Sequence, residues 1–231
     1  PTQGEKAVGL FTAAYIIVFT IWFLSIGNYE FIVYVVTMVA LVLLVGLSLR
    51  KAEYPLPMLW ALSLWGLLHM AGGGVPVGGS VLYNLHLIPI VDTETMFILK
   101  YDQFVHAYGF GVTAWVLHHL LTRHFPETRG TATALVYPAL ASMGLGAVNE
   151  IIEFSAVLMV PDTNVGGYID TARDLCLNAL GAVMAMGIFA GQVGNSNAHE
   201  LIHRAARPLR RLGTWIYISH SFSQQLRHDE P

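Results

Sequence analysis

The sequence predicts an all-α fold, a polytopic membrane bundle of about six transmembrane helices with the N- and C-termini cytoplasmic. Three observations carry that expectation. First, 55% of the 231 residues are hydrophobic and 12% are charged, where a soluble domain carries about 25% charged residues. So little charge cannot cover so much apolar surface, which excludes a water-soluble globule; the composition also excludes disorder and a collagen-like chain. Second, the apolar residues gather in runs near the ~20 residues that a helix needs to cross a ~30 Å hydrocarbon core. Third, the cations fall on one side of those runs.

The runs lie at 7–26, 30–49, 56–72, 102–122, 132–160 and 171–192. Helix is the only secondary structure open to them, because a segment in lipid must satisfy its own backbone and the alternation of a barrel strand is absent. The fifth run is long enough to tilt, and Pro138 is placed to bend it near its start. The first run passes into the second without a small-residue cleavage site, so no cleavable signal peptide is expected. With the N-terminus inside, Lys6, Arg50, Lys51, Arg123, Arg129, Arg204, Arg207, Arg210, Arg211 and Arg227 fall on inner segments. Only Lys100 and Arg173 fall on outer ones, as the positive-inside rule requires.

The one long outer connection, about residues 72–100, opens with Gly72-Gly73-Gly74-Val75-Pro76-Val77-Gly78-Gly79, which is expected to end the helix before it. Val81 to Ile90 is apolar enough to lie on the membrane surface or fold back as a partial cap. After residue 194 the composition changes. Residues 1–194 are read as the membrane domain, with a polar site built by 101–181, and 195–231 as a basic amphipathic cytoplasmic tail. In that tail Trp215, Tyr217 and Phe222 suit a helix on the inner leaflet, attracted to anionic lipid. Membrane lipid and other membrane-protein subunits are therefore the expected partners. A net charge of -3 gives no case for nucleic acid. Cys176, the single cysteine, has no disulfide partner in the chain and reads as a small packing residue.

Ionisable side chains inside spans are costly and face a bundle interior, so each is a functional candidate. The fourth run opens Tyr101-Asp102-Gln103-Phe104-Val105-His106, which sets Asp102 and His106 one turn apart on one face. The fifth carries Asn149-Glu150-Ile151-Ile152-Glu153. The sixth places Asp170, Asp174 and Asn178 in one stripe beside Arg173. At 1.5 Å per residue, these groups lie within about 5–15 Å of the outer ends of their helices, so three consecutive helices put polar groups in the same outer half of the bilayer. That many carboxylates cannot all ionise in a low-dielectric site unless a cation, protons, or Arg173 and water balance them. Carboxylate, imidazole and amide groups suit a divalent metal ion such as Mg, Mn, Zn or Fe. His106, Glu150, Glu153 and Asp174 are the expected metal ligands, Asp102 or Asp170 a base or a ligand-orienting group, and Asn178 an orienting amide. Polar groups on adjacent helices also hydrogen-bond simply to hold a bundle together; clustering favours a site. Gly109, Gly111, Gly144, Gly146 and Gly181 are expected to permit close helix approach.

Asp-x-x-x-His, Asn-Glu-x-x-Glu and Asp-x-x-x-Asp-x-x-x-Asn-x-x-Gly, in that order over roughly residues 100–190, resemble the VanZ-like superfamily and within it the YjdF-type bacterial inner-membrane proteins. The resemblance carries the family's polar positions onto Asp102, His106, Glu150, Glu153, Asp170, Asp174, Asn178 and Gly181. It implies a multi-pass protein of the bacterial inner membrane, with a link of some relatives to glycopeptide resistance and so to the cell envelope. It implies little chemistry.

The expected function is an integral membrane protein with a carboxylate, histidine and amide site, acting as a divalent-metal-dependent enzyme on a lipid or lipid-linked envelope substrate. An accessory or assembly subunit of a larger membrane complex, or a proton- or ion-coupled transporter, is the alternative. Among competing signals, His199-Glu200-Leu201-Ile202-His203 matches a helical zinc-protease pattern. Pro208 soon interrupts it, a third ligand would have to come from His220, His228 or Asp229, and a solvated amphipathic helix is the preferred reading. His118, His119 and His124 read as interfacial. His69 and His106 are the only plausible haem pair, and His86 lies in the outer connection, where spacing does not decide whether it reaches the cluster. Tyr15, Trp22, Phe23 and Tyr34 read as lipid-facing or packing surface.

Overall fold

Residues 1–92, 97–160 and 166–202 are described by the computed structural model, with backbone alone at 92, 97 and 192–202. Each apolar run forms a helix. α1 (Gln3–Ser25) starts with a reciprocal cap: Thr2 Oγ1 accepts from the Glu5 amide at 3.2 Å and Glu5 Oε2 from the Thr2 amide at 2.5 Å. α2 (Tyr29–Ala52) begins where the Asn28 side chain accepts from the Phe31 amide. It ends at Glu53, whose left-handed backbone (φ 49°) turns the chain. α3 (Leu56–Gly74) starts at Pro55 and Pro57, residues that suit a first turn lacking amide partners. α4 (Tyr101–His124), α5 (Thr133–Met159) and α6 (Tyr168–Ile202) follow. Pro138 sits early in α5, and α6 runs on past residue 194 without a break.

α3 ends inside the glycine-rich segment, as expected, but at Gly74, after the triple glycine and not before it. Gly72, Gly73 and Gly74 are its last, buried turn. A Cβ on Gly73 would stand 1.7 Å from the Phe31 ring and one on Gly72 2.3 Å from Tyr83. These glycines let aromatic rings lie against the helix backbone. The outer connection also contains strands that the apolar pattern did not announce. β1 (Pro76–Val77) and β2 (Ser80–Val81) form a tight hairpin through Gly78 and Gly79, both at positive φ, which that turn demands. A 3-10 turn at Leu82–Asn84 leads to β3 (His86–Asp92), antiparallel to β4 (Phe97–Lys100).

Among the described residues, five helices are long and apolar enough to span a membrane: α1, α2, α3, α5 and Tyr168–Gly191 of α6. α4 matches them in length with 24 residues, but Asp102, Gln103, His106, His118 and His119 dilute it. Packing resolves this. α4 contacts α6 most, then α5 and α3, so the most polar helix is surrounded by protein. The apolar faces of the others point outward, with Leu47 87%, Leu10 74% and Leu158 71% exposed, as lipid-facing positions are. Cys176 lies on such an exposed face and not in the packing.

Packing between helices in lipid depends on close approach and hydrogen bonds more than on the hydrophobic effect. α4 and α6 meet where a Cβ on Gly181 would fall 1.9 Å from the Ala107 carbonyl oxygen, with Gly111 also against Gly181. Gly109 makes room for Trp65 and Gly146 for Asn178, whereas Gly144 has nothing near it and serves no such contact. Ser142 donates to the Phe110 carbonyl, Tyr108 to Ala61, and Trp22 to Gly74. At the end of the bundle away from the acidic cluster, His119 donates from Nε2 to the Ala52 carbonyl, His118 stacks on Phe189, and Arg123 pairs with Glu53 at 2.6 Å. All three tie helices together.

Candidate functional site

His106 is the hub. It stands in the second turn of α4, 7% exposed, with the Phe110 ring 6.2 Å away one turn below. Its Nδ1 lies 2.9 Å from Asn178 Oδ1 on α6. With the amide oxygen as acceptor, the imidazole donates from Nδ1, and Nε2 faces the other way. On that side are Asp102 Oδ1 at 3.6 Å and Glu153 Oε1 at 4.0 Å. Glu150 Oε1, on α5, is 3.8 Å from Nδ1.

Donor atoms of Asp102, His106 and Asp174 all lie within 4.8 Å of one another, as do those of His106, Glu150 and Glu153. The two sets share His106. Burial is deep, with His106, Glu150, Asp174 and Asn178 each below 9% exposure. Glu153 accepts a 2.8 Å hydrogen bond from the Asn149 amide one turn earlier, which orients it. Among the described residues, Glu150 Oε1 and Asn178 Nδ2 find no hydrogen-bond partner. Orphaned polar atoms this deep cost roughly 1–3 kcal/mol each, and a cation or water among the carboxylates removes part of that cost.

Six expected residues therefore come together: Asp102, His106, Glu150, Glu153, Asp174 and Asn178. Asp170 does not join either donor set among the described residues. It stands higher, where its Oδ1 meets Arg173 Nη2 at 2.6 Å and Lys100 Nζ at 3.7 Å. Lys100 and Asp170 stand at the mouth of a cavity of about 70 Å³ that reaches down to Asp102, Glu153 and Asp174, and Arg173 adjoins that mouth through its pair with Asp170. One water takes roughly 10–15 Å³ of such space, so the cavity suits a hydrated ion. It is far below the roughly 300–1,000 Å³ of a cofactor pocket, which speaks against the His69–His106 haem pair. His69 is engaged otherwise, accepting at Nδ1 from the Tyr83 hydroxyl.

The opposite wall was not legible in the sequence motifs. Glu30 and Tyr34 of α2, His69 of α3, and Tyr83 and Asn84 of the 3-10 turn line the cavity. Glu30 and Tyr34 repeat the one-turn spacing of Asp102 and His106, and a carboxylate opening an apolar run was the available signal. Tyr34 is thus both packing and cavity wall. Tyr83 carried no local signal; it reaches the site because the chain folds back over Gly72. Burial, reinforced by the Asp102 and Glu153 carboxylates, pushes the Tyr83 hydroxyl up from its ordinary range, which keeps it a donor. His86 is exposed on β3 opposite Lys100 and does not line the cavity. Of the zinc-protease pattern, His199 and Glu200 lie where only the α6 backbone is described. His203, His220, His228 and Asp229, and with them Trp215, Tyr217 and Phe222, lie outside the described residues.

The polar groups reach one end of the bundle by chain direction. α2, α4 and α6 start there and α3 and α5 finish there, so five helices deliver side chains to the end that the charge asymmetry assigns to the outside. Comparison with curated proteins and with solved structures finds no match. Residues 8–195, which reach into all six helices and hold every residue of this cluster, match the family described as predicted membrane protein (DUF2238). A chain matched over so much of its length, with helices long and apolar enough to span a bilayer, belongs to that family of membrane proteins.

Proposed function

We propose that this protein binds a divalent cation at His106 and uses it as an enzyme on a lipid or lipid-linked substrate of the bacterial inner membrane. The observation that carries the reading is the pair of donor sets converging on one buried imidazole, each with two carboxylates. His106, with Asp102 and Asp174 or with Glu150 and Glu153, would hold the ion. Asn178 holds the ring in the tautomer that leaves Nε2 a ligand. A cation there would polarise a phosphoryl or carbonyl oxygen or lower the pKa of a bound water. The carboxylates left outside its coordination, Asp102 or Glu153 at the cavity wall, are placed to accept a proton. Asp170, tied to two cations, is better suited to positioning than to acting as the base. The resemblance of the three motifs to the VanZ-like superfamily, and to its YjdF-type branch, supports the envelope setting.

The test is metal content by mass spectrometry on full-length protein purified without added metal, beside a Glu150→Ala/Glu153→Ala variant. About one ion per chain, lost in the variant, is the expected result. Absence of metal from both, with chelators leaving thermal stability unchanged, would overturn the reading. The buried Glu150 oxygen that lacks a hydrogen bond favours a second reading, in which the carboxylates exchange protons or ions during transport. Flux into proteoliposomes that survives neutralisation of Glu150 and Glu153 would dismiss it.

A further inference from the structure

We infer that Lys100 and Arg173 form a docking point for a phosphate group at the cavity mouth, and that Asp170 fills that point until the phosphate displaces it. This deepens the reading above by naming the substrate class, a phosphate-bearing headgroup, and rests on it for the site beneath the mouth.

Two independent observations converge. The outer segments of the whole chain hold only two cations, Lys100 and Arg173. Chain folding brings both to one carboxylate, although 73 positions separate them: Arg173 Nη2 is 2.6 Å and Lys100 Nζ 3.7 Å from the same Asp170 oxygen. Both cations help to balance the acidic wall below them, and their convergence on a single carboxylate oxygen also makes a two-cation point that an anion of higher charge can take over. Lys100 is too far from Asp170 for a hydrogen bond, so its ammonium can serve another acceptor. The trio carries a net single positive charge. It also stands at the starts of α4 and α6, where helix dipoles favour an anion. In the orientation read from the charge asymmetry, those helix starts fall near the outer edge of the bilayer core, next to the headgroup region. The carboxylates of Asp102, Glu153 and Asp174 below would repel an anion on their own. A cation held among them reverses that, so phosphate binding is expected to tighten when the ion is present.

The experiment is a titration of the detergent-solubilised full chain with dioctanoyl phosphatidic acid, inorganic phosphate and dioctanoylglycerol, each with and without Mn2+. Mn2+ affinity is measured separately in every variant. Phosphatidic acid is expected to bind and dioctanoylglycerol not, with binding weakened about tenfold by Lys100→Gln, restored by Lys100→Arg and tightened by Asp170→Asn. A merely structural ion pair predicts the opposite for Asp170→Asn, a loss of stability with no gain in affinity. Equal binding of inorganic phosphate would assign the point to a soluble phosphate ligand in place of a lipid. Phosphatidic acid binding that is absent, or indifferent to Lys100→Gln and Asp170→Asn, overturns the inference. Failure of Mn2+ to bind, with phosphatidic acid binding still sensitive to Lys100→Gln, overturns the metal reading and leaves the docking point standing.

Discussion

Gly181→Ala tests whether the α4–α6 crossing sets the geometry of the site. The new Cβ would lie 1.9 Å from the Ala107 carbonyl oxygen, where real Cβ contacts essentially never fall below 3.0 Å. The helices must therefore part locally by about 1.1 Å, and the obstacle is backbone, so no side chain can swing aside. Ala107 adjoins His106, and Gly181 lies one turn below Asn178 on α6. A displacement of that size carried along the contact opens the 2.9 Å His106–Asn178 hydrogen bond to about 4 Å, past the range of a hydrogen bond. Overpacking of this kind costs about 1–3 kcal/mol, and losing the partner that orients a ligating imidazole costs roughly 10–100-fold in metal affinity. Thermal unfolding in detergent and Mn2+ titration read the two effects. Gly144→Ala is the control: its site has nothing within 4 Å, and alanine favours helix by about 1 kcal/mol in an exposed interior. Wild-type stability and affinity in Gly181→Ala, or equal damage in Gly144→Ala, would refute the reasoning.

Two further outcomes are expected. Tyr83→Phe removes the donor that His69 Nδ1 accepts from, so stability should fall by roughly 1–3 kcal/mol, while cation affinity changes little; a large loss of affinity would make Tyr83 part of the ion site. In a Cys176→Ser background, Ser80→Cys in the β1–β2 hairpin should react with a membrane-impermeant maleimide on intact cells and Gly130→Cys, between α4 and α5, should not; the reverse labelling would invert the orientation.

The helical runs were legible because span length and apolar composition are local properties fixed by the thickness of the bilayer. Asp102 with His106 and Glu150 with Glu153 were legible for the same reason: a one-turn spacing places both members of a pair on one face wherever the helix packs. The Ala107–Gly181 contact was not, because a glycine in a span announces close approach without naming its neighbour; Gly144 has the same appearance and touches nothing. Gly72 to Gly74 misled as to where α3 ends, since glycine weakens an isolated helix but also admits Phe31 and Tyr83 against the backbone, and packing decided between those effects. Glu30, Tyr34 and Tyr83 joined the cavity only through tertiary folding, as did the meeting of Lys100 with Arg173 on Asp170. The sequence alone determined which helices form and which of their faces are polar. The side on which those faces meet followed from chain direction and charge asymmetry. Which polar atoms stand within reach of His106 is set at the scale of ångströms by helix crossings, and only the packed bundle decides that.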